Sequence, residues 1–282
     1  MMKEPIMAIF EKTTPMPLYG LEHLLPVLFL ILFVGFLVSF RMSVIPRRFW
    51  KQLGSVIGWV LCLNYPCYVF FQFLDGGLSW QTSLPLYPCV FGSLLAPIYS
   101  RTKNKTLFNI LFYWVFAGAL WAVITPEVKS TFPHYEYFYF WVCHFGLFAF
   151  LFMALVIDES EPSARGVWSA FVAVGGLVAI SAVVNSMTGA NYYYLVEKPS
   201  VPTLMDYLGP WPWYVVGVIG VSLVQFLLAF VVFRLIKWAL MVLQTRDVEV
   251  EPEKHGGDNS ISEVDKIMTT CKATSVGGSN GA

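Results

Sequence analysis

Two side chains in this sequence have the types needed for covalent chemistry together. Cys89 closes the run Leu84-Pro85-Leu86-Tyr87-Pro88-Cys89, and His144 ends Trp141-Val142-Cys143-His144. A histidine beside a thiol is the basic arrangement for nucleophilic acyl transfer, because the imidazole can take and return the thiol proton near neutral pH. Proline suits the first position of a helix, where its missing N–H costs nothing. With Pro88 there, Cys89 falls in the first turn. Free N–H groups and the helix dipole favour a thiolate at that point, while burial in lipid opposes it. Cys89 is then either a nucleophile or a small buried hydrophobe. His144 is either its base or a partner for a polar group on a neighbouring helix, such as Asn64, Gln72 or Asn185.

The elements that must position these residues follow from composition. The chain has 282 residues, 57% hydrophobic, 17% aromatic and only 13% charged. Seven stretches contain no Asp, Glu, Lys or Arg: 24–40, 53–74, 84–100, 107–125, 137–157, 167–188 and 211–233. A bilayer core needs roughly 17–25 apolar residues per helix. Backbone groups in hydrocarbon must be satisfied within their own segment, so such runs are helices. A barrel would show short alternating segments instead. A soluble enzyme is excluded by composition, and a net charge of zero leaves no phosphate footprint for nucleic acid.

The expected fold is therefore all-α: a polytopic membrane bundle of seven transmembrane helices over 1–243. The first span has neither a basic leader nor a small-residue cleavage pattern, so it reads as retained. With the N-terminus outside, 14 Lys and Arg fall on inner segments and 4 on outer ones. The positive-inside rule thus predicts an outside N-terminus and a cytoplasmic C-terminus. Asn104-Lys105-Thr106 matches a glycosylation sequon that this topology places inside. Residues 244–282 read as a disordered acidic cytoplasmic tail with no identified partner, carrying seven acids over 247–265.

At 1.5 Å per residue, His144 lies about 10 Å below the outer face and Cys89 about 5 Å below it. The two meet if the third and fifth helices touch. A long outer segment, Gly189 to Tyr214, is rich in Tyr, Trp and Pro. It is either an interfacial anchor or a cap over a site open to the outer leaflet, with Lys198 placed for a lipid phosphate. Phe132-Pro133-His134 lies on the same face. Tyr87, His134, Asn191, Tyr192, Lys198 and Trp211 are the candidate substrate-contacting residues, and Asn191, Tyr192 or backbone N–H groups the candidate oxyanion donors. The cysteines form no disulfide framework, and no two histidines share a metal-ligand spacing. No metal or cofactor is expected. The partners expected are membrane lipids. A non-enzymatic transporter or small-ligand sensor is the alternative. Against ion coupling, no span contains Asp or Glu, and no internal repeat is visible.

Several short motifs recur in order: Pro85-Leu86 with Cys89, Leu95-Ala96-Pro97-Ile98, Ala117-Gly118-Ala119-Leu120 with Thr125-Pro126, and Phe132-Pro133-His134. His144, Asn191-Tyr192, Lys198-Pro199 and Leu208-Gly209-Pro210-Trp211-Pro212-Trp213-Tyr214 follow. In these the chain resembles YwaF-type integral membrane proteins and, more distantly, the transmembrane protein 164 family. The second resemblance implies an acyltransferase that moves fatty acyl groups between phospholipids through a membrane cysteine after a proline, here Pro88-Cys89. The YwaF pattern has a histidine two residues before that cysteine, where this chain has Tyr87. The other branch has it directly after, where this chain has Val90. His144 is left as the candidate base.

Overall fold

The computed structural model describes residues 9–40, 46–199 and 203–250. It is all-helical, with no strand among the described residues. Seven long helices run α1 Leu21–Phe40, α2 Arg47–Leu74, α3 Pro88–Thr102, α4 Lys105–Ile124, α5 Tyr135–Val156, α6 Ala164–Thr188 and α7 Trp213–Val250. Each charge-free stretch falls on one of them. Five (α2, α4, α5, α6 and α7) are long and apolar enough to cross a membrane. The helix α1 supplies a shorter apolar stretch, Leu21–Leu37, and α3 has 15 residues.

The bundle occupies the unit up to Arg234, and residues 235–282 form a separate one whose described part is helical to Val250. The remainder of the expected acidic tail, 251–282, lies outside the described residues. The core is built on α5, whose apolar window is 56% buried, against 6% for α7. Helices α1, α2 and α3 pack on α5, α3 also packs on α2 and α4, and α6 packs on α4.

Local chemistry sets the ends that matter. The helix α3 starts later than its apolar run because a residue before proline is barred from the α region. Tyr87 is accordingly extended (φ −74°, ψ 143°), and Pro88 takes the first helical position. The helix stops at Lys103, left-handed at φ 49°. Asn104 then caps α4, its side-chain oxygen accepting from Thr106 N (2.8 Å) and Leu107 N (3.1 Å). Within α4, Val115–Ala119 is a π-helical segment, a local widening often found at functional sites. Close packing of α6 on α4 requires Gly166, where a Cβ would sit 1.8 Å from Asn109 Oδ1. The helix α6 ends at Gly189, φ +69°, the left-handed stop that glycine favours.

Candidate functional site

Cys89 is the second residue of α3, and its thiol faces the π segment of α4. A Cβ on Gly118 would lie 3.9 Å from Cys89 Sγ, so glycine leaves the sulfur room at that wall. Ser93, one turn on, donates its hydroxyl to Cys89 O at 2.9 Å. Ser93 Oγ also lies 3.5 Å from Cys143 Sγ on α5. The third and fifth helices therefore touch at this level, as the pairing of Cys89 with His144 requires.

His144 is buried, and its Nδ1 lies 2.8 Å from Phe140 O. A carbonyl only accepts, so Nδ1 carries the proton and Nε2 keeps its lone pair. Nε2 makes no hydrogen bond among the described residues, to Cys89 or to any other group. The three polar side chains considered as its partners are engaged elsewhere. Asn64 donates to Tyr139 O (3.0 Å), Gln72 to Tyr68 Oη (2.9 Å), and Asn185 to Tyr192 O (3.0 Å).

Neighbouring contacts on α5 set the direction of His144. Cys143 meets α3 through Ser93, and Phe148 meets Phe116 of the π segment, rings 6.2 Å apart. With about 100° per residue and Cys143 at zero, Phe148 lies at about 140° and His144 at about 100°. On an ideal helix His144 falls between those two directions, while its own contacts are with Phe140, through the carbonyl and the ring at 4.3 Å. Cys89 abuts the π segment.

Three consecutive tyrosines, Tyr192 to Tyr194, bring the segment 189–199 against the start of α3. Tyr192 is buried, and its hydroxyl accepts from Leu84 N (2.9 Å) and donates to Trp80 O (3.0 Å). Its backbone is held twice by Asn185, N to Oδ1 at 2.9 Å and O to Nδ2 at 3.0 Å. Tyr193 donates to Leu86 O at 2.9 Å, three residues before the thiol. Tyr194 donates to Glu127 Oε2 at 2.9 Å. Burial first, and then the Glu127 carboxylate, push the Tyr194 phenol above its ordinary range. Tyr193 and Tyr194 pay for these reaches with left-handed backbones, φ 59° and 54°. The Tyr87 ring stands 5.7 Å from those of both Tyr192 and Tyr193.

The other expected contact residues hold the cover in place. Asn191 donates to Glu197 O (2.8 Å) and accepts from Val196 N (3.0 Å). Lys198 lies over the Tyr214 ring at 5.4 Å, and Trp211 donates to Leu195 O at 3.1 Å. His134 caps α5, its Nδ1 accepting from Glu136 N at 3.2 Å. Its proton is therefore on Nε2, which is buried without a partner. Burial lowers the His134 pKa, against the pull of Glu136 and Asp75. The residues 9–16 cover it, pairing with the loop through Met16 N to Val128 O, Thr131 N to Thr14 O and Tyr135 N to Ile9 O.

The sequence reading assigned no role to Tyr193, Ser93, Cys143 or Gly118. Cys143 had a signal, being next to His144, and Gly118 lay within a recurring motif. No group of three or more His, Cys, Asp or Glu among the described residues could hold a metal.

A helical bundle with long apolar helices, and with rows of exposed aliphatic side chains such as Val224, Leu227, Leu228 and Val231, is an integral multi-pass membrane protein in contact with lipid. The chain belongs to the TMEM164 family, whose family model matches residues 18–232. It is also similar to an uncharacterized protein of Treponema pallidum (strain Nichols), 27% identical over 123 residues, 44% of this chain and 51% of the relative. The chain thus spans about half the length of the curated relative it matches. No solved structure matches it.

Proposed function

We propose that the protein is a thiol-dependent acyltransferase that moves fatty acyl groups between phospholipids, with Cys89 as nucleophile and His144 as base. In this reading all seven helices span the membrane, the N-terminus is outside, the C-terminus is cytoplasmic, and the thiol opens toward the outer leaflet. What supports it is that Cys89 abuts the π segment at Gly118 and that α3 and α5, the helices bearing Cys89 and His144, touch through Ser93 and Cys143. The lone pair on Nε2 is the form a base needs. In this reading the tyrosine cover at the start of α3 limits water at the thiol, as an acyl-enzyme needs to favour transfer over hydrolysis.

In the first step His144 Nε2 takes the Cys89 proton and sulfur attacks the ester carbonyl. The S–C bond forms, the ester C–O bond breaks, and the departing lysolipid oxygen takes the proton. In the second step an acceptor lysolipid hydroxyl gives its proton to Nε2 and attacks the thioester, restoring the thiol. The first-turn N–H groups of α3 are the nearest donors for the oxyanion. Membership of the TMEM164 family supports the lipid setting.

The test is the full chain reconstituted with a labelled phospholipid donor and a lysolipid acceptor. An acyl adduct on Cys89 by mass spectrometry, with transfer lost on the order of 10³-fold in Cys89→Ala, is the expected result. Full transfer by that variant would end the assignment, and solute flux without lipid turnover would favour a transporter.

A further inference from the structure

Residues 9–16 run as an irregular strap across the start of α5. Met16 N donates to Val128 O (3.0 Å), Thr131 N to Thr14 O (3.1 Å) and Tyr135 N to Ile9 O (3.0 Å). Thr13 Oγ1 donates to Thr131 O at 3.0 Å. The Phe10 ring lies against those of Phe71 on α2 and Tyr135 on α5, 5.7 and 5.9 Å between centres. The first N–H groups of a helix have no partner within it. The strap supplies one for Tyr135, and the His134 ring supplies one for Glu136, whose N–H it accepts at Nδ1 (3.2 Å).

What the strap covers is poorly satisfied. His134 is 1% exposed, and neither its Nε2 nor Thr131 Oγ1 has a hydrogen-bond partner among the described residues. Each unmet buried group costs about 1–3 kcal/mol. The closed strap therefore rests on a few bonds set against a standing cost, and a further charge beneath it weighs heavily.

A proton on His134 adds to that cost in three ways. Nδ1 becomes a donor and can no longer accept from Glu136 N. A cation then sits where water is excluded. Lys12, carried by the strap itself, repels it. Two carboxylates act the other way, Glu136 with Oε2 3.9 Å from Nδ1, and Asp75 after α2. Burial is the largest influence and holds the His134 pKa below its ordinary value, with Glu136 and Asp75 pulling it up and Lys12 pushing it down. Lifting the strap returns the ring to water and carries Lys12 away, so the open form takes the proton more readily than the closed one.

We propose that residues 9–16 are an acid-released strap, held over His134 at neutral pH and lifted from the start of α5 when that histidine gains a proton. The device is separate from the thiol and does not rest on the acyl-transfer reading. Because the proton favours the open form, opening should rise as pH falls below the ordinary histidine value of about 6.5, by about tenfold per pH unit until the closed form is protonated too.

The test is hydrogen exchange of the full chain in detergent at pH values about one unit above and one unit below that point, corrected for the intrinsic pH dependence of exchange. Protection of peptides holding the Met16, Thr131 and Tyr135 amides should fall about tenfold on acidification, while that of peptides around Leu147, deeper in α5, should hold. His134→Asn keeps a capping acceptor but does not titrate, and should abolish the fall. Phe10→Ala loosens the strap without touching the histidine, and should lower protection of the same amides at both pH values. Equal wild-type protection at the two pH values, an undiminished fall in His134→Asn, or a fall shared by the Leu147 peptides would overturn the proposal, as would unchanged protection in Phe10→Ala.

Discussion

The two ends of α3 are covered by different chemistry. At the Cys89 end the cover comes from a loop a hundred residues away, and where it meets α3 it is held by neutral hydrogen bonds, Tyr192 to Leu84 and Trp80 and Tyr193 to Leu86, with a charged acceptor only at Tyr194 to Glu127. At the Thr102 end the cover is ionic, Lys103 to Asp158 and Arg47 to Glu159. Neutral bonds to backbone can be made in a dry place, whereas exposed ion pairs depend on water and are screened by salt. The difference suits the water-poor reaction proposed at the first end and a solvated, salt-sensitive boundary at the other.

Four experiments break or sharpen that contrast. The largest effect is expected at the thiol end: His144→Gln should lower acyl transfer by about 10²–10⁴-fold with the fold intact, the usual worth of a general base. Next, Asn185→Ala removes both bonds holding Tyr192 and leaves its backbone groups buried. It should cost about 1–3 kcal/mol for each group left unmet, read as a lower Tm together with faster alkylation of Cys89. Acid should act at the same end through His134. Its folded pKa is depressed, so the unfolded state binds more protons as pH falls below the ordinary histidine value of about 6.5. Stability should be full above that value and decline as pH drops through it, and His134→Gln should flatten the decline in thermal melts. The smallest effect belongs to the ionic end. With Lys103 and Asp158 side chains 43% and 12% exposed, Lys103→Met should change stability by less than about 1 kcal/mol and leave Cys89 alkylation unchanged.

Helix positions were legible because a membrane segment must be apolar and self-satisfied in hydrogen bonds, so each charge-free run marks a helix. The start of α3 was legible for a local reason as well, since Pro88 can only open a helix. Its end was not: Lys103 turns left-handed there with no glycine to announce it. The crossing level of α3 and α5 was legible from counting residues inward, because rise per residue is nearly constant. What each tyrosine would grip was not legible, since Tyr192 and Tyr193 bond to carbonyls and amides about 107 to 112 residues away. Nor was the tautomer of His144, which hangs on a carbonyl four residues back that looks the same in every helical sequence.

The widened turn at Val115–Ala119 makes helical register, more than side-chain identity, the sensitive variable beside the sulfur. A π turn stores one residue beyond regular helical register. Regularising that turn with all its residues retained would swing everything after it by about 100°. Gly118 would leave the thiol, and Val123 would carry away the carbonyl that His23 Nε2 now holds at 2.8 Å, unpinning α1. One surplus residue thus keeps an outer helix moored and a reactive atom uncrowded at the same time.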